Sequence, residues 1–221
     1  MTLGKEVNLM KNYPQSKRDV SGRLISKTSK DKKIAQQFGK DFFDGSRNQG
    51  YGGFTYNPRF WQPVIPTFQE HWNLKSGDSL LDIGCAKGFM LYDLKQLIPE
   101  IKVYGVDISK YAIKNSKKEV KKYCRVADAA DLPFDDDSID VVTSITTLHN
   151  LEENELRVAL LEIERVAKRG SFITLDAYKN DNEKDRMEAW NLTAKTVMHV
   201  DQWREFFADT GYSGDYYWFI P

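Results

Sequence analysis

The chain has 221 residues, which is the length of one α/β domain or of one domain with an appendage. Its 32 Lys and Arg balance its 32 Asp and Glu, so the overall charge gives no general attraction to DNA or to an anionic membrane. The two cysteines lack a CxxC partner, which predicts no metal site and no disulfide framework, and the absence of a long apolar run or a secretory leader favours a cytoplasmic protein.

The first segment of the chain is basic. Residues 1–33 carry nine Lys or Arg, only three acids and few apolar side chains. Such a composition buries too little apolar surface to fold by itself, so residues 1–38 are predicted to form a flexible arm. The arm could be a loosely docked tail, or it could make an electrostatic contact with an anionic substrate.

Aromatic rings mark the segment that follows. Residues 39–62 contain seven of them among several glycines. Glycines that permit motion and large rings that can close on a ligand are typical of a lid, although a cap packed on the core would have the same composition. We place this cap segment at residues 39–75 of a single domain that spans 39–221. Its candidate substrate-binding residues are Tyr51, Tyr56, Arg59 and Trp61.

From residue 63 onward, strand patterns alternate with helix patterns. Helices are predicted at 64–73, 88–97, 109–119, 152–167, 183–196 and 201–210, and strands at 79–83, 101–106, 124–128, 139–145, 171–177 and 216–220. This alternation predicts an α/β fold with a mostly parallel, six- or seven-stranded sheet covered by helices on both faces. A seventh strand would have little room.

In open α/β sheets, ligands bind at the carboxyl ends of the strands. The first predicted strand ends at Asp82, and small residues at 84, 86 and 88 allow the backbone to turn tightly and approach a ligand. The second strand leads to Asp107, where an acid can accept hydrogen bonds from both ribose hydroxyls. A dinucleotide enzyme would use a similar turn, but this turn is not GxGxxG.

Three motifs, in order, carry a resemblance to a known family. They are DIGCAKG (82–88), GVDIS (105–109) and ADAADLPFDDDSIDVV (127–142). Over about residues 78–178 the chain resembles the class I S-adenosylmethionine (SAM)-dependent methyltransferases. The resemblance implies a Rossmann-like methyltransferase fold, SAM as the methyl donor and S-adenosylhomocysteine as its product. Three shorter segments, YGGFTY, TLHNL and GYSGDY, are similar to a narrower group of small bacterial methyltransferases of the type 11-like kind.

The resemblance also implies a set of cofactor-binding residues. Those near the methionine part of SAM would be Asp82, Gly84, Cys85, Ala86 and Gly88; those near the ribose and adenine would be Asp107, Ile108, Asp128 and Ala129; Thr146 would border the cofactor after the fourth strand. Ala86 replaces the usual central glycine of the family's turn, which adds one methyl group near the ligand.

The sequence indicates the binding site of the methyl acceptor less clearly than that of the cofactor. The methyl sulfonium is already electrophilic, so the protein must mainly place the acceptor in line and exclude water. A base is needed only if the acceptor must lose a proton, and the candidates are His149 and Asp176, although either could simply order its loop. Tyr178 and Arg186 are candidate substrate-binding residues. The fourth strand lacks the Asn-Pro-Pro-Tyr motif of enzymes that methylate the adenine amino group.

These observations favour a methyltransferase that acts on an oxygen or nitrogen of a small molecule, such as a sugar or an amino-acid-like metabolite. One alternative is an RNA or protein methyltransferase that uses the basic arm to hold its substrate. Another is a SAM-binding protein without turnover. Neither DNA nor a membrane is expected as a partner, and the oligomeric state is left open.

Overall fold

A computed structural model describes residues 4–15 and 19–221 of the protein. Its strands are β1 (Ser79–Ile83), β2 (Lys102–Asp107), β3 (Cys124–Val126), β4 (Ile139–Ile145), β5 (Ala167–Tyr178), β6 (Met198–His199) and β7 (Asp215–Phe219). They form one sheet in the spatial order β3-β2-β1-β4-β5-β6, and β7 also pairs with β5. All of these pairings are parallel, which confirms the predicted parallel sheet and brings the carboxyl ends of the strands to one edge.

Helices cover both faces of the sheet. They are α1 (Val20–Ser26), α2 (Ser29–Ala35), α3 (Lys40–Asp44), α4 (Ile65–Trp72), α5 (Phe89–Leu97), α6 (Lys110–Lys114), α7 (Glu153–Val166), α8 (Asp181–Trp190) and α9 (Val200–Thr210). Adjacent residues of β1 point to opposite faces: Leu80 packs in the cluster that includes α4 and α5, whereas Leu81 packs in the cluster that includes α7 and α9. The predicted α/β architecture is therefore confirmed. No helix among the described residues combines the length and apolarity of a membrane span.

Two helices are shorter than the sequence predicts. The helix expected at 109–119 ends at Lys114, because the Ser116 hydroxyl hydrogen-bonds back to the carbonyls of Ala112 and Ile113 and competes with the helical ladder. The helix expected at 183–196 runs from Asp181 to Trp190. The Asn191 side chain closes the turn that follows by bonding both the amide and the carbonyl of Ala194.

The last part of the sheet differs in detail from the prediction. The strand predicted at 216–220 is present as β7, and it lies directly beside β5. The additional strand is β6, which has two residues and pairs with Ala177 and Tyr178. A strand of two residues is too short to show a periodic pattern, so it could not be predicted from the sequence.

The described residues of the predicted arm make fixed contacts with the domain. Val7 donates its amide to the Tyr216 carbonyl at 2.9 Å, so this segment extends the edge of β7. Leu9 is buried in the core cluster. Thr28 and Asp31 form a capping box that begins α2. A few well-placed apolar side chains and caps therefore anchor a segment whose average composition predicted a flexible arm.

Candidate active site

The turn between β1 and α5 has an unusual backbone. Gly84, Ala86 and Gly88 all have left-handed backbone angles, with φ values of 81°, 49° and 71°. A Cβ atom at Gly84 would lie 2.1 Å from the Thr147 hydroxyl oxygen, so only glycine fits there. Ala86 adopts the same region with a side chain, which stores backbone strain at this turn. The turn therefore presents its backbone closely to whatever lies at the sheet edge.

Cys85 does not direct its thiol into this open space. The side chain is buried, and a Cβ atom at the neighbouring Gly105 would lie 2.7 Å from the Cys85 sulfur. The thiol therefore packs down against β2, and the contribution of Cys85 to a ligand site is limited to its backbone. Its amide, like that of Gly84, donates to the Val106 carbonyl.

Two carboxylates lie at the ends of β1 and β2. Asp107 accepts hydrogen bonds from the amides of Ala86 and Ser109, each at 2.8 Å, so it fixes the turn against β2. Burial raises the pKa of Asp107, and these two bonds oppose the rise. Burial and the nearby charge of Asp107 raise the pKa of Asp82 well above its ordinary value. The pair would be stabilised by a cationic or hydroxyl-bearing ligand.

The residues that follow β2 and β3 complete this edge. Ile108 is 57% exposed, which is unusual for a large aliphatic side chain and suits packing on a flat ring. Asp128 is exposed, and one of its carboxylate oxygens accepts the Ala130 amide at 2.9 Å. Ala129 is half-buried beside it. The structure thus brings the sequence-predicted cofactor residues of β1, β2 and β3 to the same edge of the sheet.

The cap segment is fastened to this edge by Asp44. Its carboxylate binds the Lys87 ammonium at 2.7 Å, the Tyr111 hydroxyl at 2.7 Å and the Phe54 amide at 3.0 Å. Burial raises the pKa of Asp44, but the bonds from these three partners lower it below its ordinary value overall. Lys87 belongs to the turn after β1, so the cap segment and that turn are linked directly. In addition, the Ser109 hydroxyl donates to the Phe38 carbonyl.

The aromatic rings of the cap segment divide into two groups. Tyr51 packs on Phe54, with ring centres 4.4 Å apart, and remains 44% exposed. Burial of its hydroxyl, with the nearby Asp107 charge, raises the pKa of Tyr51, so this hydroxyl stays protonated close to the strand ends. The Tyr56 hydroxyl instead donates to the Asp93 carboxylate of α5 at 2.6 Å, so its hydrogen is already used within the protein.

Arg59 and Trp61, also predicted to bind substrate, contact other parts of the N-terminal region. The Arg59 guanidinium lies 4.7 Å from the centre of the Phe60 ring. Trp61 packs edge-on against Tyr13 and on the core cluster of α4 and α5. These contacts stabilise the cap segment and do not bring either side chain against the residues at the strand ends.

His149, which follows β4, contacts Asp176 near the end of β5. The Asp176 amide donates to His149 Nδ1 at 3.1 Å, and an Asp176 carboxylate oxygen lies 3.4 Å from the same nitrogen. Because Nδ1 accepts this bond, the hydrogen of a neutral ring is assigned to Nε2. Burial lowers the pKa of His149, although the Asp176 charge opposes the change. The geometry therefore brings the two predicted catalytic residues together but engages the lone pair that a basic His149 would use.

The remaining predicted residues lie around this pair. The Thr146 amide donates to the Thr174 hydroxyl, and its own side chain is exposed beside the turn. Tyr178 packs edge-on against His199. Arg186 donates two hydrogen bonds to the Pro221 carbonyl, at 3.0 and 2.7 Å, so the structure gives it a partner within the chain.

Sequence reasoning missed two residues that shape the site. Lys87 was read only as part of the small-residue turn, and Asp44 only as part of the cap segment. They are 43 positions apart, and no periodicity connects them. The one available signal was that each charged side chain stands among apolar or small neighbours, Asp44 after two phenylalanines and Lys87 between Ala86 and Gly88.

Known proteins share these features. Residues 81–175 match the family model of the methyltransferase domain. The tRNA (carboxymethyluridine(34)-5-O)-methyltransferase of Arabidopsis thaliana is 32% identical over 142 residues, which cover 64% of this chain and 33% of that protein. The demethylmenaquinone methyltransferase of Symbiobacterium thermophilum is 33% identical over 128 residues, or 54% of this chain and 50% of that protein. The chain thus spans between a third and a half of the length of these two relatives.

Solved structures show the same fold. The phosphoethanolamine N-methyltransferase 2 of Haemonchus contortus, in complex with phosphomonomethylethanolamine and S-adenosylhomocysteine, superimposes with a TM-score of 0.57. It is 18% identical, and the match covers 80% of this chain and 44% of that one. Over residues 81–175 the chain therefore carries a methyltransferase domain. The cradle at Gly84, the carboxylate of Asp107 and the exposed Ile108 fit SAM as its cofactor.

Proposed function

We propose that the protein transfers the methyl group of SAM to an oxygen or nitrogen of a small molecule. The observation that carries this proposal is the bond network of Asp44, which holds the cap segment to the cofactor turn through Lys87 and Tyr111. A cap segment held beside the strand edge suits a small acceptor, because it can close around a small molecule and exclude water. A long polymer would need an open edge.

The chain's own residues would do three things during the reaction. Asp107 would hold the ribose, while the turn at Gly84–Gly88 would hold the methionine end of SAM, which supplies the electrophilic methyl group when bound. Tyr51 and the rest of the cap segment would exclude water. His149 would orient the acceptor by donating from Nε2, since its Nδ1 accepts the Asp176 amide.

The need for a base depends on the acceptor atom. An amine that is partly neutral attacks without help, whereas a hydroxyl must lose its proton. The Asp176 carboxylate, which lies next to His149, is the better placed proton acceptor of the two predicted residues. His149 would have to give up its bond from the Asp176 amide in order to serve as the base.

A second candidate function is the methylation of RNA. Two observations favour it: the tRNA methyltransferase of Arabidopsis thaliana is among the relatives, and exposed basic side chains follow β2. These are Lys110, Lys114, Lys118, Lys121, Lys122 and Arg125. In the predicted basic arm, by contrast, the Lys27 ammonium is occupied by the carbonyl groups of Ala189 and Asn191 around the end of α8. The small-molecule proposal is therefore preferred.

The proposal is tested by following label from methyl-tritiated SAM into a cell extract with purified protein, and separating the products by size. Label in the low-mass fraction is the expected result. Label confined to nuclease- or protease-sensitive material of high mass would contradict it and favour a macromolecular substrate. The Asp107→Asn variant serves as the control, because it is expected to lose the cofactor and should transfer no label in either case.

A further inference from the structure

Two arginines lie where α1, the loop after α3 and the end of α8 come together. The Arg23 side chain donates from Nε to the Trp190 carbonyl at 3.0 Å, and its guanidinium carbon lies 4.5 Å from the centre of the Trp190 ring. Arg47 stands in the loop after α3. Its neighbour Asn48 donates to the Ser26 carbonyl at 3.2 Å, which holds that loop against α1.

Both guanidinium groups keep unused donors. Among the described residues, Arg23 donates only from Nε, and Arg47 donates only from Nη1, which bonds the carbonyls of Gly50 and Tyr51 at 2.9 and 3.4 Å. Within residues 4–15 and 19–221, neither is paired with a carboxylate. The nearby Asp31 is already bound by Thr28 and Gln49. A guanidinium has five N–H donors, so most donors of this pair are available to a ligand.

Two like charges without a counter-ion are unfavourable when they are partly removed from water. Burial, and then the charge of Arg47, lower the pKa of Arg23 below its ordinary value. The half-buried Arg23 is thus a cation whose charge no carboxylate of the described residues neutralises. A bound anion would remove this penalty and would use the planar forks that match carboxylate and phosphate oxygens.

The position of this pair connects it with the acceptor edge. Arg47 bonds the carbonyl of Tyr51. The Tyr51 ring stacks on Phe43, which stacks in turn on Tyr111, one of the partners of Asp44. On the other side, the chain runs from Trp190 to Thr196, whose amide donates to the His149 carbonyl at 3.0 Å. The arginine pair therefore lies where the cap segment meets the end of α8, and the chain that follows α8 leads to the segment that contacts His149.

We propose that Arg23 and Arg47 form a subsite for an anionic group of the methyl acceptor, either a carboxylate or a phosphate. This inference rests on the proposed function and narrows it to acidic acceptors. The two forks hold the oxyanion, and the Trp190 ring forms a flat wall beside it. The arginines predicted from the sequence are less suitable, because Arg59 stacks on Phe60 and Arg186 is bound to the Pro221 carbonyl.

Binding of simple anions tests the subsite without knowledge of the acceptor. Inorganic phosphate and acetate are titrated separately into the protein saturated with S-adenosylhomocysteine, and the heat of binding is measured. We expect Arg23→Gln and Arg47→Gln each to weaken binding of the preferred anion about tenfold or more. Arg47→Lys keeps the charge but not the fork, so it should lose less. A preference for one anion distinguishes phosphate from carboxylate acceptors.

Lys118→Gln is the matched control, because it removes one exposed positive charge from the segment after α6. Equal anion binding by the wild type, this control and the arginine variants would overturn the subsite. Thermal unfolding of each variant shows whether it is folded before binding is compared.

The labelled product separates this inference from the proposed function. After the extract experiment, the low-mass label is passed over an anion-exchange resin. Retained label that falls with Arg47→Gln supports the subsite. Label that is transferred but not retained, and that Arg47→Gln leaves unchanged, overturns the subsite while the methyltransferase function stands. Absence of any label, together with arginine-dependent anion binding, supports the subsite and contradicts the proposed function.

Discussion

The amide of Asp176 donates a hydrogen bond to Nδ1 of His149 at 3.1 Å. His149 follows β4 and Asp176 lies near the end of β5, so this bond joins the ends of the two strands at the acceptor edge. It also selects the ring tautomer, because a nitrogen that accepts an N–H cannot itself carry the hydrogen. His149 is thereby prepared to donate from Nε2, and the carboxylate of Asp176 is held beside it.

The buried neutral state of His149 predicts a pH dependence of stability. Burial lowers the pKa of His149 in the folded protein, so below about pH 6.5 the unfolded chain binds this proton more readily. The contribution of His149 to the free energy of unfolding is therefore present above that pH. It is lost as the pH falls, by at most about 1.4 kcal/mol per pH unit.

As the pH is lowered from about 7.5 to 5.5, we expect the free energy of unfolding to fall less for His149→Gln than for the wild type, as measured by urea unfolding. Parallel pH curves for the two proteins would contradict this prediction.

The contact between Gly84 and Thr147 predicts an intolerance of any side chain. Gly84→Ala must place a Cβ atom at a φ of 81°, 2.1 Å from the Thr147 hydroxyl. Gly211→Ala is the matched control, with a φ of 79° and open space around it. Both variants bear a left-handed penalty of about 1 kcal/mol, and Gly84→Ala should lose a further ~1–3 kcal/mol of unfolding free energy through overlap. Equal losses would show that Thr147 moves away freely.

The ion pair between Asp44 and Lys87 predicts that the cap segment can be loosened selectively. Asp44→Asn should weaken the pair by about 2 kcal/mol, less than for a fully buried pair because the Asp44 side chain is 26% exposed. The expected result is faster hydrogen exchange at the Phe54 amide and a weaker affinity for SAM. Asp41→Asn, an exposed position on the same helix, should change neither. If both variants exchange at the wild-type rate, Lys87 does not fasten the cap segment.

The carboxylate of Asp107 predicts a large loss of cofactor affinity in Asp107→Asn. The change replaces one charged acceptor with an amide donor, and charge-assisted bonds to the ribose hydroxyls should be lost. We expect SAM affinity to fall about hundredfold in titration calorimetry. Asp209→Asn, on the exposed side of α9, is the control and should bind SAM normally. An unchanged affinity of the Asp107 variant would place the ribose elsewhere.

The strand ends were predictable because each carries a local signal. Apolar strands followed by Asp82 or Asp107, with small residues in the turn, identify positions that the fold must bring to one edge. The ends of the helices were harder to predict, because side-chain hydrogen bonds compete there with the backbone bonds of the helix. The back-bonding of the Ser116 hydroxyl, which shortens α6, depends on a side-chain rotation that sequence spacing does not reveal.

Contacts between distant residues account for most of what the sequence did not predict. The bond of Asp44 to Lys87, like the stacking of Arg23 on Trp190, joins residues with no common periodicity. The described part of the basic arm makes contacts that composition does not reveal, for a related reason. Average composition predicted flexibility, whereas single apolar side chains such as Leu9 and Val20 are buried in the structure.

The pairing of the N-terminal segment with β7 has a consequence for truncated forms of the protein. The carbonyl of Lys5 and the amide of Val7 occupy the backbone groups of Tyr216 that would otherwise face outward. A shortened chain that begins after residue 33 would leave this strand with unpaired donors and acceptors, beside the space vacated by Leu9. Such an edge is a template for self-association. We therefore expect a shortened protein to aggregate, whether its substrate is a small molecule or a macromolecule.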